Sequence, residues 1–414
     1  MAEWSGRRLF AGGTVFDGTG APPAPADVVV ENGRIVDVGV GLDGDELVEA
    51  TGKTLLPGLF DCHTHLMLSH VDLWRLVQDP FSYRFFQAVR NLEATLKAGI
   101  TTVRDAGGAD LGVKRAVEDG LVPGPRVQIS LIMLSQTGGH SDGWMPSGVR
   151  ARLFHEYPGC PNPIVDGPEE MRRKVRELVR DGAEVIKVAT SGGVLSPRGR
   201  PRDAHFAMDE LEALVGEARA AGLAVMAHAQ SAEGIKNAVR AGARSIEHGV
   251  YLDDEAIGLM VERGTWLVPT LVAAQGVLDA AAAGNTISDA SLAKAREVVE
   301  VHHDSFRRAV RAGVRIAMGT DSGVTPHGEN LRELPLMVAG GMRPEEALTA
   351  ATSSAAELMG MESELGTLAP GRRADLVIVE GERLDLSSLT RGPTAVYKDG
   401  NWVAGSESPR LLPV

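Results

Sequence analysis

The sequence predicts an α/β protein: a (β/α)8 TIM-like barrel carrying a small β-sandwich domain formed by both chain ends. Three observations predict it. Eight short apolar runs alternate with helix-like stretches, the two ends of the chain are both β-rich, and 414 residues exceed the roughly 250 to 300 that one barrel needs.

Residues 7–56 alternate Val/Ile/Leu-rich runs with Gly and Asp turns, as in DVVVENGRIVDVGVGLDG, where Asn32-Gly33 joins two apolar stretches in the manner of a hairpin. The far end repeats this language, with ADLVIVEG and AVYKDGNWVAG placed around Asp399-Gly400. The expected division is a discontinuous β-sandwich from residues 1–56 and 361–414, and a barrel from 57–360. The barrel strands are expected at GLFDCH near Gly58, TTVRDA near Thr101, RVQIS near Arg126, EVIKVA near Glu184, AVMAHA near Ala224, SIEHG near Ser245, WLVPTL near Trp266 and RIAMGTD near Arg315. Segments such as PEEMRRKVRELVRDG and MDELEALVGEARAAG read as the helices between them, the second opening on acids and closing at Gly222. Two connections are longer than a barrel requires, Ser135 to Gly167 and Ser191 to Met208, and loops of that kind usually bind or cover a ligand.

Composition excludes several classes. A hydrophobic content of 43% with 23% charged residues is that of an ordinary globular protein. A formal net charge of −13 and no clustered basic run argue against nucleic acid as a partner. No window reaches the apolar length of a membrane span and no signal-peptide pattern is evident, so a cytoplasmic protein without a membrane partner is expected. Cys62 and Cys160 are too few for a disulfide framework or a cysteine-based zinc site.

The chemistry-bearing residues fall at the ends of expected strands. In Asp61-Cys62-His63-Thr64-His65, strand alternation points both histidines the same way, so they can share one cation. His228, His248 and Asp321 end three other strands, at the rim where barrel enzymes keep their active sites. Imidazole and carboxylate are donors suited to zinc and similar divalent ions. Lys187 is anomalous there, because an inward-facing ammonium beside cations is repelled and costly to desolvate. As a carbamate it would instead be an anionic ligand. Asp61 and Asp105 lie near strand ends, where they would orient ligands.

The order His-x-His, Lys, His, His, Asp on consecutive strands resembles the amidohydrolase superfamily, in its two-metal subtype with a carboxylated lysine. The phrases LLPGLFDCHTHL, TTVRDAGG and LGTLAPGRRADLVIV share in the resemblance, which covers nearly the whole chain. LSQTGGH, IKVATSGGVLSP and IEHG are similar to the prolidase-like and imidazolonepropionase-related group. The resemblance implies two divalent cations, most simply zinc. His63 and His65 would hold the more buried one, His228 and His248 the more exposed one, and the Lys187 carbamate would bridge them. Asp321 would bind the buried cation and move the proton during catalysis, and His140 would donate to the oxyanion.

The implied reaction is hydrolysis of an amide in a dipeptide, Xaa-Pro-like, or in an N-acyl amino acid. The same site acting on a lactone, carbamate, arylurea or phosphoester is the alternative, and a non-catalytic scaffold is the third reading. Where the prolidase-like group carries Tyr two residues after the fifth-strand His, this chain has Gln230. Arg198, Arg200, Arg202 and His205 follow the fourth strand, and a guanidinium there would suit a substrate carboxylate. Trp144, Met145, Phe154 and Tyr157 of the other long loop would line an apolar pocket. The expected partners are a small molecule bearing a carboxylate and further copies of the chain, as a homo-oligomer.

Overall fold

A computed structural model describes residues 6–196, 198–382, 386–405 and 412–413. Pro197 of the arginine-rich loop and the extremes of the terminal segments, residues 1–5, 406–411 and 414, lie outside the described residues.

Parallel strands alternate with helices through the middle of the chain. They run Leu59–Thr64, Ile100–Asp105, Arg126–Ile129 with Met133–Leu134, Val185–Ala189, Ala224–Ala229, Ser245–His248, Trp266–Val268 and Arg315–Ile316. They form one sheet of three strands and one of six. The segment expected as a single third strand serves both. Arg126–Ile129 pairs with the second strand and Met133–Leu134 with the fourth, and between them Leu131 turns the chain at φ 67°. The eighth strand is also shorter than RIAMGTD led us to expect, with only Arg315–Ile316 in regular pairing. Beyond it the backbone is captured by the first strand: Cys62 N–H donates to Met318 O at 2.9 Å, Asp321 N–H to His63 O at 2.7 Å and His65 N–H to Ser322 O at 2.7 Å. Asp321 therefore stands beside His63 and His65 although 256 positions separate Asp321 from His65 in sequence.

The helices pack on this sheet by one apolar stripe each. Helix Pro168–Arg180 begins with proline and two acids, which suit the open N–H groups of a first turn, and buries Met171, Val175 and Leu178. Helix Met208–Ala220 buries Leu211, Leu214, Val215 and Ala218 on the same spacing, with Gly222 just beyond it at φ 74°. At about 1.5–3 kcal/mol per fully buried large aliphatic side chain, these faces supply the drive that seats each helix. Among the described residues no helix is long and apolar enough to cross a membrane.

The chain ends build two further sheets. One has the order Leu412–Pro413, Glu46–Glu49, Arg7–Ala11, Asp27–Glu31, Arg34–Gly39. The other has the order Asn401–Ala404, Ala395–Lys398, Leu376–Glu380, Lys53–Pro57, Thr14–Val15, Ala24–Pro25. Phe10, Val28 and Ile35 of the first share a buried cluster with Leu55, Ile378 and Tyr397 of the second. Phe10 meets Tyr397 edge-on at 4.9 Å between ring centroids. Both expected hairpin turns form with two left-handed residues, Asn32 at φ 50° with Gly33 at 73°, and Asp399 at 51° with Gly400 at 73°. That geometry matches the twist of the flanking strands.

Candidate metal centre

His63 and His65 emerge from the first strand with their rings 5.5 Å apart, and Asp321 reaches them from the segment after the eighth. Asp321 Oδ1 lies 3.2 Å from His65 Nε2 and 3.6 Å from His63 Nε2. One donor atom from each of the three falls within 4.8 Å of the others, which is the convergence a cation requires. The electrostatics agree. Burial opposes charge on Asp321, but the hydrogen bond from His65 and the cationic neighbours hold its carboxyl far below the usual range. Burial likewise opposes charge on His65, yet the Asp321 bond and charge push this ring up. What stabilises a proton between His65 and Asp321 would stabilise a divalent cation there.

The four imidazoles each have one ring nitrogen anchored. His63 Nδ1 meets Glu247 Oε2 at 2.7 Å and His65 Nδ1 meets the Gly107 carbonyl at 2.9 Å. His248 Nδ1 meets Thr270 Oγ1 at 2.7 Å, and His228 Nε2 meets the Gly192 carbonyl at 3.2 Å. This leaves Nε2 of His63, His65 and His248 and Nδ1 of His228 as available donors, the arrangement by which proteins orient metal-binding histidines. His248 packs 4.6 Å from His228 and 5.0 Å from His63. Burial, reinforced by neighbouring positive groups, pushes His63, His228 and His248 well below the ordinary imidazole range, so they are neutral, as ligation needs. His248 and Asp321 are also left-handed, at φ 70° and 61°. Such strain, of order 1–3 kcal/mol per residue, is characteristic of functional positions.

Lys187 is fully buried and its Nζ lies 3.4 Å from His63 Nε2. Burial brings its ammonium down to about 8, so a substantial neutral fraction exists near neutral pH. A neutral amine is the form that adds carbon dioxide. His63, His65 and Asp321 thus converge as a set that could hold a cation, and Lys187, His228 and His248 line the same cavity beside them.

Asp61 and Asp105 sit behind this set. Asp61 accepts from Thr320 Oγ1 at 2.6 Å, Asn330 Nδ2 at 2.8 Å and the His63 N–H at 3.1 Å. Asp105 accepts from the N–H groups of Leu66, Gly107 and Ala109. Burial raises both to about 6 despite these bonds.

His63, His65, His140, Lys187, His228, Gln230, His248 and Asp321 all line one cavity of about 710 Å³, open mouth included. Its walls are Leu68, Leu153, Phe154, Val194, Leu195, Val250, Val277 and Val298. The ring of His140 stacks on His228 at 4.3 Å, and burial lowers His140 to about 3. Gln230 Oε1 is buried without a protein partner.

The remaining residues expected at the substrate lie elsewhere. Arg202 stacks on Tyr251 at 3.8 Å and bonds Glu297 at 3.3 Å, Arg198 lies over Trp144 at 5.8 Å, and Arg200 pairs with Asp203. Tyr157 donates to the Gly108 carbonyl at 3.2 Å among Phe81 and Phe85. His205 is buried with Nδ1 unpaired, outside the cavity lining. Arg198 and Arg202 find aromatic faces on neighbouring loops, and Arg200 and Arg202 find carboxylates on their own loop and on helix Asp289–Ala312. Of the apolar loop residues, Phe154 enters the cavity, tilted against His65 at 5.2 Å, whereas Trp144 and Met145 are exposed.

Sequence reasoning missed Glu247, Arg104 and Ser196. Glu247 joins His63 to Arg104, whose Nη2 lies 3.0 Å away. Strand alternation points Glu247 away from His248, so no local pattern indicates that it faces His63. The one available signal was a carboxylate inside the IEHG phrase.

Comparison with known proteins identifies the family. Residues 54–403 match the amidohydrolase family. The ochratoxinase of Aspergillus niger is 35% identical over 96% of this chain and 86% of its own length. A Xaa-Pro dipeptidase solved with methionine in its active site superposes with a TM-score of 0.85 at 33% identity, covering 96% of this chain and 99% of that one. A prolidase complexed with N-methylphosphonate-L-proline gives 0.88 at 36%, with the same coverage. Its architecture is accordingly the α/β TIM-like barrel of these neighbours, its activity is that of a hydrolase, and the chain belongs to the amidohydrolase family.

Proposed function

We propose that this hydrolase is metal-dependent and cleaves the amide bond of an N-acyl amino acid or dipeptide whose acyl part is bulky and apolar. One observation carries the reading: a single cavity has the His63, His65, Lys187, His228, His248 and Asp321 set at its polar end and aliphatic walls with Phe154 around the rest. Two divalent cations, zinc by the preference of these donors, would be held there with Lys187 as a bridging carbamate. When bound, they acidify water and polarise the scissile carbonyl.

The chain's own residues supply the remainder. Asp321, kept ionised, takes the proton of the attacking water and returns it to the leaving nitrogen, which cannot depart as an anion. His140 donates to the carbonyl oxygen as negative charge develops there, a contribution typically worth 10²- to 10³-fold. Gln230, with an unpaired amide oxygen, meets the polar groups of the leaving side, and its place in the cavity does not restrict that side to proline. Leu153, Phe154 and Val194 exclude water around the acyl group. We further propose that the terminal sheets form one β-sandwich domain from residues 1–56 and 361–414, supported by the core that Phe10, Leu55 and Tyr397 share, and that residues 57–360 form the hydrolase domain.

A second reading is favoured by the absence of arginine from the described cavity lining, which leaves a substrate carboxylate without a guanidinium. A neutral carbamate or arylurea would then be cleaved at the same site. Metal-analysed protein should be tested against N-acyl amino acids, Xaa-Pro dipeptides and matched neutral carbamates and arylureas. The first reading expects kcat/KM on the order of 10⁴ M⁻¹s⁻¹ or more for an aryl-acylated amino acid. Turnover of the neutral compounds alone selects the second, and inertness of protein holding two cations per chain refutes both.

A further inference from the structure

We propose that Ser196 is a positioning residue that fixes the tautomer of His140, so that Nε2 carries the ring proton and faces the bond to be cleaved. The proposal rests on the reading of His140 as the donor to the carbonyl oxygen.

Ser196 lies in the long loop after the fourth strand and is almost wholly buried. Its Oγ sits 2.9 Å from the Gly193 N–H, which can only donate, and 2.6 Å from His140 Nδ1. Among the described residues these are the two hydrogen-bond partners of Oγ. The hydroxyl proton needs an acceptor, and His140 Nδ1 is the one in reach. A ring nitrogen that accepts carries no proton, so the neutral imidazole is protonated at Nε2. The opposite tautomer would leave a buried hydroxyl proton unsatisfied, which disfavours it by roughly 10- to 100-fold. His140 Nε2 has no hydrogen-bond partner among the described residues, and the ring lines the cavity beside Lys187, His228 and Asp321.

The turn that presents Ser196 is itself held. Ser196 N–H returns to the Gly193 carbonyl at 3.2 Å. Lys294, from helix Asp289–Ala312, donates to the carbonyls of Gly193 at 3.4 Å, Ser196 at 2.6 Å and Gly199 at 3.2 Å. The close approach requires glycine at 193, where a Cβ would lie 2.7 Å from His140 Cε1 and 2.9 Å from His228 Cε1. The loop from Ser191 to Met208 thus bears on the site through His140 as well as through Val194 and Leu195 in the cavity wall, whereas its arginines lie outside the cavity lining.

The test is spectroscopic first. In ¹⁵N-histidine-labelled metal-loaded protein, with the His140 signals assigned by their loss in His140→Ala, long-range ¹⁵N–¹H correlations read the tautomer directly. Wild type is expected to show protonated Nε2, with the Nδ1-protonated form appearing in Ser196→Ala and receding again in Ser196→Thr. On an amide substrate, Ser196→Ala should lower kcat about tenfold with KM within twofold. It should cause no further loss in the His140→Ala background. A His140 protonated at Nδ1 in the wild type overturns the proposal, as does an equal loss from Ser196→Ala with and without His140. A Ser196-dependent Nε2 tautomer in a protein that cleaves no amide supports the assignment and instead refutes the amide reading.

Discussion

Replacing Glu247 by glutamine removes one charge from the most enclosed ionic contact of the site, and its cost follows from the geometry. Glu247 is fully buried and accepts from His63 Nδ1 at 2.7 Å, Arg104 Nη2 at 3.0 Å and Ser245 Oγ at 2.6 Å. Arg104 is itself buried, and its guanidinium also donates to the Cys62 carbonyl at 2.8 Å. At 3.0 Å and an effective dielectric of about 20, the Coulomb attraction is about 5.5 kcal/mol, and stripping one partner from a buried pair generally costs about 3–5 kcal/mol. Glutamine keeps the shape and one acceptor, so about 3 kcal/mol of lost stability is expected by urea unfolding. Because His63 loses its anchor, metal affinity should fall about 10- to 100-fold by competition with a chromophoric chelator. Arg104→Met combined with Glu247→Gln should recover much of the stability, since no charge is left stranded, but not the metal affinity. A single variant within about 1 kcal/mol of wild type with unchanged metal binding would refute the reasoning, and so would a double variant no more stable than the single.

Three further outcomes follow. Gly193→Ala should displace His140 and His228 and reduce kcat/KM by about 10²-fold or more while leaving secondary structure unchanged by circular dichroism; activity within twofold of wild type would show that the turn yields. Lys187 should take up carbon dioxide through its neutral amine, so reactivation of the metal-free protein by zinc should accelerate with added bicarbonate and with pH rising through about 8, and Lys187→Ala should show neither response. Glu333 is buried under the Leu271 and Val272 N–H groups, and burial raises its carboxyl to about 8. Between the ordinary carboxyl range and 8 the folded chain holds a proton that the unfolded chain has released, so this group makes stability fall as pH rises across that window, and Glu333→Gln should flatten that slope in unfolding midpoints measured from pH 5 to 8.

Much of the site was legible because its signals are local. Alternation along a strand decides that His63 and His65 share a side, and the end of a parallel strand decides which rim His228 and His248 occupy. The two hairpins were equally plain, because Asn-Gly and Asp-Gly accept the left-handed backbone that a tight turn demands. Other features were not local. The third strand breaks at Leu131 so that one segment can serve two sheets, and nothing in RVQIS records that division of labour.

By itself the sequence determined the order of strands and helices, the residue types at the strand ends and the donor chemistry they offer. Only the tertiary structure decided which partners those donors keep. Glu247 reaches His63 across 184 positions, Asp321 is fastened to the first strand by backbone bonds, and Ser196 meets His140 across 56. It also decided that Arg198 and Arg202 lie against aromatic rings while Phe154 enters the cavity. The physical reason is that alternation and turn chemistry act over a few residues. Long-range pairings and loop paths are instead selected by the packing and hydrogen-bond satisfaction of the whole chain.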